Sequence, residues 1–389
     1  MSLRAQVVDR ADALANDLDL NHVKEWLAAK PGRKAAGYLP VYAPRELIAA
    51  VGMLPVGVHG GGDRLEIIKG DACYQSYICH LPRSVVELLL GGKLDCLDAV
   101  LFPSTCDVIR NLSGIWKLQK PDCYVRYLDL PQVLDPSIGV PFWTMEMRHV
   151  LNDLAKLAGC EDPEAGLRQA IVDYNAVRAR IAELYAWRRE RPWDIPTAEL
   201  YQLMKALESL PAADWMQLSA DYLAAIEAEP GRPRDNCRVV VTGAFCEQPP
   251  LGLLKTIERA GCYIVDDDLL LGNRMLKQPV STEGDPVQAL AETFVLHSMK
   301  SSVIYEDDPT GKQALMKQRV DAAKADGIVF AAPSFCDPAL LDRPMLRSGA
   351  EAAGIPCIAF KYAENTGQFQ PFREQAGTFS DSIKLWGAG

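Results

Sequence analysis

Asp98-Ala-Val-Leu-Phe-Pro-Ser-Thr-Cys106-Asp107 returns later in the chain, in altered form, as Asp326-Gly-Ile-Val-Phe-Ala-Ala-Pro-Ser-Phe-Cys336-Asp337. Each copy is a short apolar run, then Pro-Ser-x-Cys-Asp, then a segment with helical spacing. A brief apolar run closed by Pro reads as a strand buried on both faces, the kind found in parallel sheets. The surroundings of each copy agree with that reading. Around the first, Leu54-Pro-Val-Gly-Val-His59 reads as a strand running into Gly60-Gly61-Gly62, and Pro82 to Leu90 as a helix with Pro at its first position. The segment from Asp107 reads as a helix whose Val108, Leu112 and Ile115 share a face. Around the second, 238–242, 262–265, 327–330 and 355–359 read as strands, with helices over 251–260 and 340–353. Strands alternating with helices make βαβ units, so the expected fold class is α/β: two doubly wound lobes with parallel sheets.

Between the lobes the pattern breaks. Asp162-Pro163 is a helix start, and Leu167, Ile171, Tyr174, Ile181 and Tyr185 keep helical spacing up to Arg191-Pro192. A second pair of helices follows, ending near Glu229-Pro230-Gly231. The expected organisation is a helical segment over 1–36, a first α/β lobe over 37–160, a helical bridge over 161–230 and a second α/β lobe over 231–389. At roughly 150 residues per domain, a chain of 389 residues suits this plan.

Composition narrows the function classes. The chain is 49% hydrophobic and 24% charged, as in ordinary soluble globular proteins. Lys and Arg number 41 against 51 Asp and Glu, a formal charge of −10. That balance argues against nucleic acid or an anionic membrane as a main partner, since phosphate binding needs clustered bases. No apolar run approaches the ~20 residues of a membrane helix. The N-terminal stretch is amphipathic and acidic, without a secretory h-region. Eleven cysteines in such a chain point to a reducing, cytoplasmic compartment, and their odd number forbids complete intrachain pairing.

Ligands of open parallel sheets bind outside the carboxyl ends of the strands, where both echoed cysteines fall. The following Asp suits a helix N-cap in each copy, and a thiolate at a helix N-terminus has its pKa lowered by the dipole. Cys79, in Tyr77-Ile-Cys-His-Leu-Pro82, has a similar setting. Three soft thiolates in a cleft would select an iron–sulfur cluster, zinc or Cu(I); zinc usually shows C-x2-C pairs, which are absent here. The plainer alternative is three packing cysteines at strand ends.

Further stretches carry a resemblance. Cys79-x3-Arg83-Ser84, Pro-Ser-Thr-Cys106-Asp107-Val-Ile-Arg110 and Ser334-Phe-Cys336-Asp337-Pro338 resemble the 2-hydroxyacyl-CoA dehydratase/benzoyl-CoA reductase family. So do Pro44-Arg-Glu46-Leu-Ile, Val265 through Asp267 and Gly272 to Arg274, and Glu364 through Gly367 and Gln368 with Arg373. The match runs from about Gly37 to the end. The wording around Cys79 and Cys336 is most similar to the gamma subunits of the ATP-dependent, class I benzoyl-CoA reductases. The resemblance implies two Rossmann-like lobes and a [4Fe-4S] cluster held by Cys79, Cys106 and Cys336. It also implies single-electron reduction of benzoyl-CoA to a cyclohexadienoyl-CoA, with electrons from reduced ferredoxin. The implied assembly is a heterotetramer with a sister cluster-binding subunit and two ATP-binding activator-type subunits. The chain has no G-x-x-x-x-G-K-[ST] loop, so ATP chemistry falls to a partner.

The remaining candidates each have a plain and a functional reading. Glu46, in a first helical turn, is a dipole partner or a cleft-facing carboxylate that handles protons near the thioester. His80 is a proton donor beside the cluster or a core histidine. Cys73 is a spare fourth ligand, while Cys96, Cys123, Cys160, Cys237, Cys246, Cys262 and Cys357 read as packing residues. Gly60-Gly61-Gly62 reads as a tight turn rather than a CoA-phosphate loop. Of Asp266-Asp267-Asp268, one is expected to cap the next element and two to face solvent. Rival functions are a 2-hydroxyacyl-CoA dehydratase subunit, a double-cubane-cluster reductase and a two-lobed binding subunit without redox chemistry.

Overall fold

Two parallel sheets of four strands, built to one plan, organise the chain. The first has β1 (Ala35–Tyr38), β2 (Leu54–Gly57), β3 (Ala99–Pro103) and β4 (Tyr124–Leu128), in the order β2-β1-β3-β4. The second has β5 (Cys237–Thr242), β6 (Cys262–Asp267), β7 (Gly327–Pro333) and β8 (Cys357–Tyr362), in the order β6-β5-β7-β8. All strand pairs are parallel. The strand order reverses between β1 and β3 and between β5 and β7, so each sheet has a switch point beside its third strand. These features come from a computed structural model that describes residues 2–39, 41–243, 247–269, 278–298, 310–363 and 367–386.

The helices are α1 (Leu3–Ala15), α2 (Asn21–Ala28), α3 (Arg45–Ala50), α4 (Lys69–Cys73), α5 (His80–Leu90), α6 (Asp107–Gln119), α7 (Pro136–Ala158), α8 (Pro163–Glu190), α9 (Thr197–Ala206), α10 (Ala212–Ala228), α11 (Leu251–Arg259), α12 (Pro286–His297), α13 (Thr310–Ala323), α14 (Asp337–Ala352) and α15 (Gln370–Trp386). Central strands are covered on both faces: every residue of β3 and of β7 is buried. Each large apolar side chain there contributes about 1.5–3 kcal/mol of burial. Among the described residues no helix is long and apolar enough to cross a membrane.

α8 joins the halves. It starts as its sequence demands, with Asp162 accepting from the Ala165 amide and Pro163 at the first position. Along its length it packs on α3 of the first half and β6 of the second. A buried ion pair marks each contact: Arg178 with Glu46, and Arg188 with Asp267 at 2.6 Å.

Three local expectations differ from the structure. The helix expected from Pro82 begins at His80, which puts Pro82 in its third position. The first four amides of a helix lack intrahelical partners, so Pro there loses nothing. The Asp residues after Cys106 and Cys336 are first helical residues, and the cysteines themselves are the N-caps. Finally, Asp266, Asp267 and Asp268 are all buried rather than largely solvated. Each has its own partners: Arg319 for Asp266, Arg188 and Tyr185 for Asp267, and Thr242 with the Gly243 amide for Asp268. A strand end inside the protein must neutralise its acids one by one.

Candidate functional site

The Pro-Ser-x-Cys-Asp echo has one physical explanation in both halves. Pro103 and Pro333 are the last residues of β3 and β7, opposite Leu128 of β4 and Tyr362 of β8. Pro cannot donate, so the next residue continues the ladder: the Ser104 amide bonds the Leu128 carbonyl, and the Ser334 amide bonds the Tyr362 carbonyl. One residue then turns the chain, and Cys caps α6 or α14. The turning residue before Cys336 is Phe335, held at a left-handed φ of 62° with an exposed ring. For a non-glycine residue such a conformation costs about 1–3 kcal/mol and recurs at functional sites.

Cys79 is the N-cap of α5. All three candidate cysteines thus occupy the same position, the N-cap of a helix, and Cys106 and Cys336 do so just past the carboxyl ends of β3 and β7. Two come from the first half and one from the second. Cys79 and Cys336 are buried and Cys106 is half-buried. They are gathered closely enough to act on one another: burial pushes the Cys79 thiol up, and Cys336, Glu247 and Cys106 push it further. Burial also pushes Cys106 up, against the amides of Ile109 and Val108 and the Thr105 hydroxyl. The expectation of depressed thiol pKa values is therefore overturned for these two, because loss of hydration outweighs the helix dipole. Thiols of this kind become ligands by releasing their protons to solvent or a nearby base as a metal binds. Among the described residues no three His, Cys, Asp or Glu side chains crowd around a single-ion position. The ligands of a cluster sit on different iron atoms and need not meet at one point.

Three further residues belong to the site. Glu247, on the loop after β5, is buried and accepts the amides of His80 at 2.8 Å and Leu81 at 3.4 Å. Tyr362 donates its hydroxyl to the Glu247 carbonyl at 2.9 Å. Tyr74 has its phenol pushed up by burial and by the thiols of Cys79, Cys73 and Cys106. No short-range pattern announces these residues, since Glu247 lies 167 positions from His80.

The other sequence candidates are distributed as follows. Glu46 is buried in the first turn of α3 and ion-paired with Arg178. His80 is a core residue at the start of α5. Cys73 is exposed at the end of α4. Gln368 and Arg373 are exposed. Gly60 to Gly62 form a turn against α5: the Gly61 amide bonds Ser84 Oγ at 2.6 Å, and a Cβ on Gly60 would lie 2.8 Å from that oxygen. Among the packing cysteines, Cys237 and Cys262 face each other across β5 and β6 with sulfurs 3.4 Å apart. Cys246, the stretch from Gly272 to Arg274 and the stretch from Glu364 to Thr366 lie outside the described residues.

Comparison with known proteins adds independent findings. A family model described as 2-hydroxyglutaryl-CoA dehydratase, D-component, matches residues 40–383. The chain is 50% identical over 382 residues to a benzoyl-CoA reductase subunit of Thauera aromatica, covering 98% of this chain and 99% of that protein. It is 28% identical over 356 residues to the beta subunit of lactoyl-CoA dehydratase of Anaerotignum propionicum, covering 91% and 93%. It is also 28% identical over 357 residues to the beta subunit of (R)-2-hydroxyglutaryl-CoA dehydratase of Acidaminococcus fermentans, covering 90% and 93%.

Proposed function

The chain belongs to the 2-hydroxyglutaryl-CoA dehydratase D-component family, the 2-hydroxyacyl-CoA dehydratase/benzoyl-CoA reductase group, and from that membership we propose that it is the gamma-type iron–sulfur subunit of an ATP-dependent benzoyl-CoA reductase. The single observation that carries the cofactor is the gathering of three cysteine N-caps from two lobes at one junction. The difference between 50% identity to the reductase subunit and 28% to dehydratase subunits favours ring reduction over dehydration.

Cys79, Cys106 and Cys336 would hold the [4Fe-4S] cluster as thiolates. Soft thiolates suit iron–sulfur chemistry, and a bound cluster supplies low-potential single electrons. The chain's own residues make the surroundings. The N-termini of α5, α6 and α14 point partial positive charge at the thiolates. Burial of the junction keeps water away and strengthens every fixed dipole in it. Glu46, oriented by Arg178, is assigned to proton handling near a bound thioester. Ring reduction in this reading takes electrons from reduced ferredoxin and ATP hydrolysis from two activator-type subunits. The product is cyclohexa-1,5-diene-1-carbonyl-CoA. The sister cluster-binding subunit takes the ring of benzoyl-CoA, and this chain relays electrons to it, in a cytoplasmic, reducing setting.

The test is consumption of benzoyl-CoA by the purified complex with a low-potential donor and ATP. Stoichiometric ATP use per ring reduced is the expected outcome. Catalytic ATP with water loss from a 2-hydroxyacyl-CoA would replace the reading by the dehydratase one. In the same assay Glu46→Gln is expected to slow turnover at full iron content, and unchanged turnover would remove Glu46 from the mechanism.

A further inference from the structure

Glu247 belongs to the second lobe by its place after β5, yet its carboxylate lies in the first. Its side chain accepts the amides of His80 and Leu81, the two residues that follow Cys79 at the start of α5. Its main-chain carbonyl is held by the hydroxyl of Tyr362, the last residue of β8. Glu247 is 1% exposed and Tyr362 is equally buried, so water does not replace either link. The Tyr362 phenol is pushed well above its usual range by burial, then by Glu247 and Cys336, which keeps the hydroxyl protonated as a donor.

Two consequences follow from this geometry. Cys79 caps α5 without a side-chain hydrogen bond to the helix, so the first-turn amides are satisfied from the opposite lobe. Separation of the lobes would therefore break both amide–carboxylate hydrogen bonds at the start of α5. The carboxylate sits on the amide of His80, the residue next to Cys79 in the chain, and it acts on the Cys79 thiol after burial and Cys336.

We propose that Glu247 is a positioning residue of the three-cysteine site: it straps the second lobe to α5, fixes Cys79 across the lobe junction, and sets a carboxylate next to it. This rests on the cluster reading above. A buried negative charge disfavours adding an electron to a neighbouring cluster, so Glu247 holds the potential low, against the helix N-termini that raise it.

The test uses the intact complex with two substitutions and two readouts. Glu247→Gln offers an oxygen to the same amides without the charge. At full iron content it is expected to shift the reduction equilibrium about tenfold toward the reduced cluster, which is 59 mV for a one-electron couple. Tyr362→Phe frees the Glu247 carbonyl while leaving the charge. Hydrogen exchange at the His80 and Leu81 amides is then expected to quicken at least tenfold, with a much smaller change in potential. An unchanged potential in Glu247→Gln at full iron, or unchanged exchange in Tyr362→Phe, overturns the proposal. Failure of the cluster reading shows separately, as a wild-type chain without iron, and the exchange measurement still decides the strap.

Discussion

Cys106 is placed by its neighbours: Pro103 ends β3, Ser104 continues the ladder, Thr105 turns the chain and Asp107 starts α6. The same logic places Cys336, so two of the three proposed ligands need no long-range contact to reach a helix cap. Cys106→Ala in the intact complex is expected to remove iron and cluster absorbance from this subunit while the fold persists, because the half-buried cap position tolerates a small side chain. Cys96→Ala, half-buried and away from the junction, is expected to leave the iron in place. Full iron in Cys106→Ala would end the ligand assignment. At this scale the sequence was informative where function is written into a local motif. It was silent about Glu247, Tyr362 and Tyr74, whose roles depend on the meeting of two lobes. It misplaced the cap by one residue because Asp is the commoner cap and burial of the cysteine could not be read from spacing.

Among the elements, α3 shows how little of its own stability a short helix carries. Six residues cannot sustain a helix in water, so packing and pairing must hold it. Arg45 reaches Glu208 at 3.0 Å, Glu46 meets Arg178, and Glu208 also accepts the Tyr38 hydroxyl at 2.6 Å. Burial works against the charge on Glu208, but Arg45, His59 and Tyr38 prevail and hold its carboxyl below the usual range. A carboxylate depressed in this way stabilises the fold above its unfolded pKa, and the contribution is lost as pH falls through the folded value. Arg45→Met leaves Glu208 buried without its cation, a loss of about 3–5 kcal/mol at neutral pH. In denaturant titrations the gap between wild type and variant is expected to narrow in acid, from the raised folded pKa of the unpaired Glu208 in the variant down through the depressed one in the wild type, since protonation relieves the unpaired charge. A gap that stays constant in acid would show that lost packing, not charge, sets the cost. Local pattern made β2, β3, β5 to β8 and α8 legible, whereas β1, β4 and the long α7 were not read from it, and α3 and α4 are too short to leave a period.

Over the whole molecule, the repeat of strand order between the two sheets does not extend to the proposed ligands. The first lobe supplies Cys79 and Cys106, the second only Cys336, and neither alone presents three. The doubly wound halves were legible because βα alternation is local, but how they are joined follows from the long-range packing of α8 and its ion pairs at Arg178 and Arg188. A cluster bound at the junction, as proposed, would be a further link between halves joined by α8. Binding the native arrangement and not the unfolded chain, it would add its free energy to stability by mass action. Removing iron by chelation under reducing, anaerobic conditions is expected to lower the melting temperature of the subunit. The faster hydrogen exchange should be confined to the first turns of α5, α6 and α14, where the sulfurs sit, while β3 and β7 stay protected by burial. Exchange that rises evenly across both sheets would mean that the cluster holds up the lobes themselves. An unchanged melting temperature after iron loss would mean that it lies outside their junction.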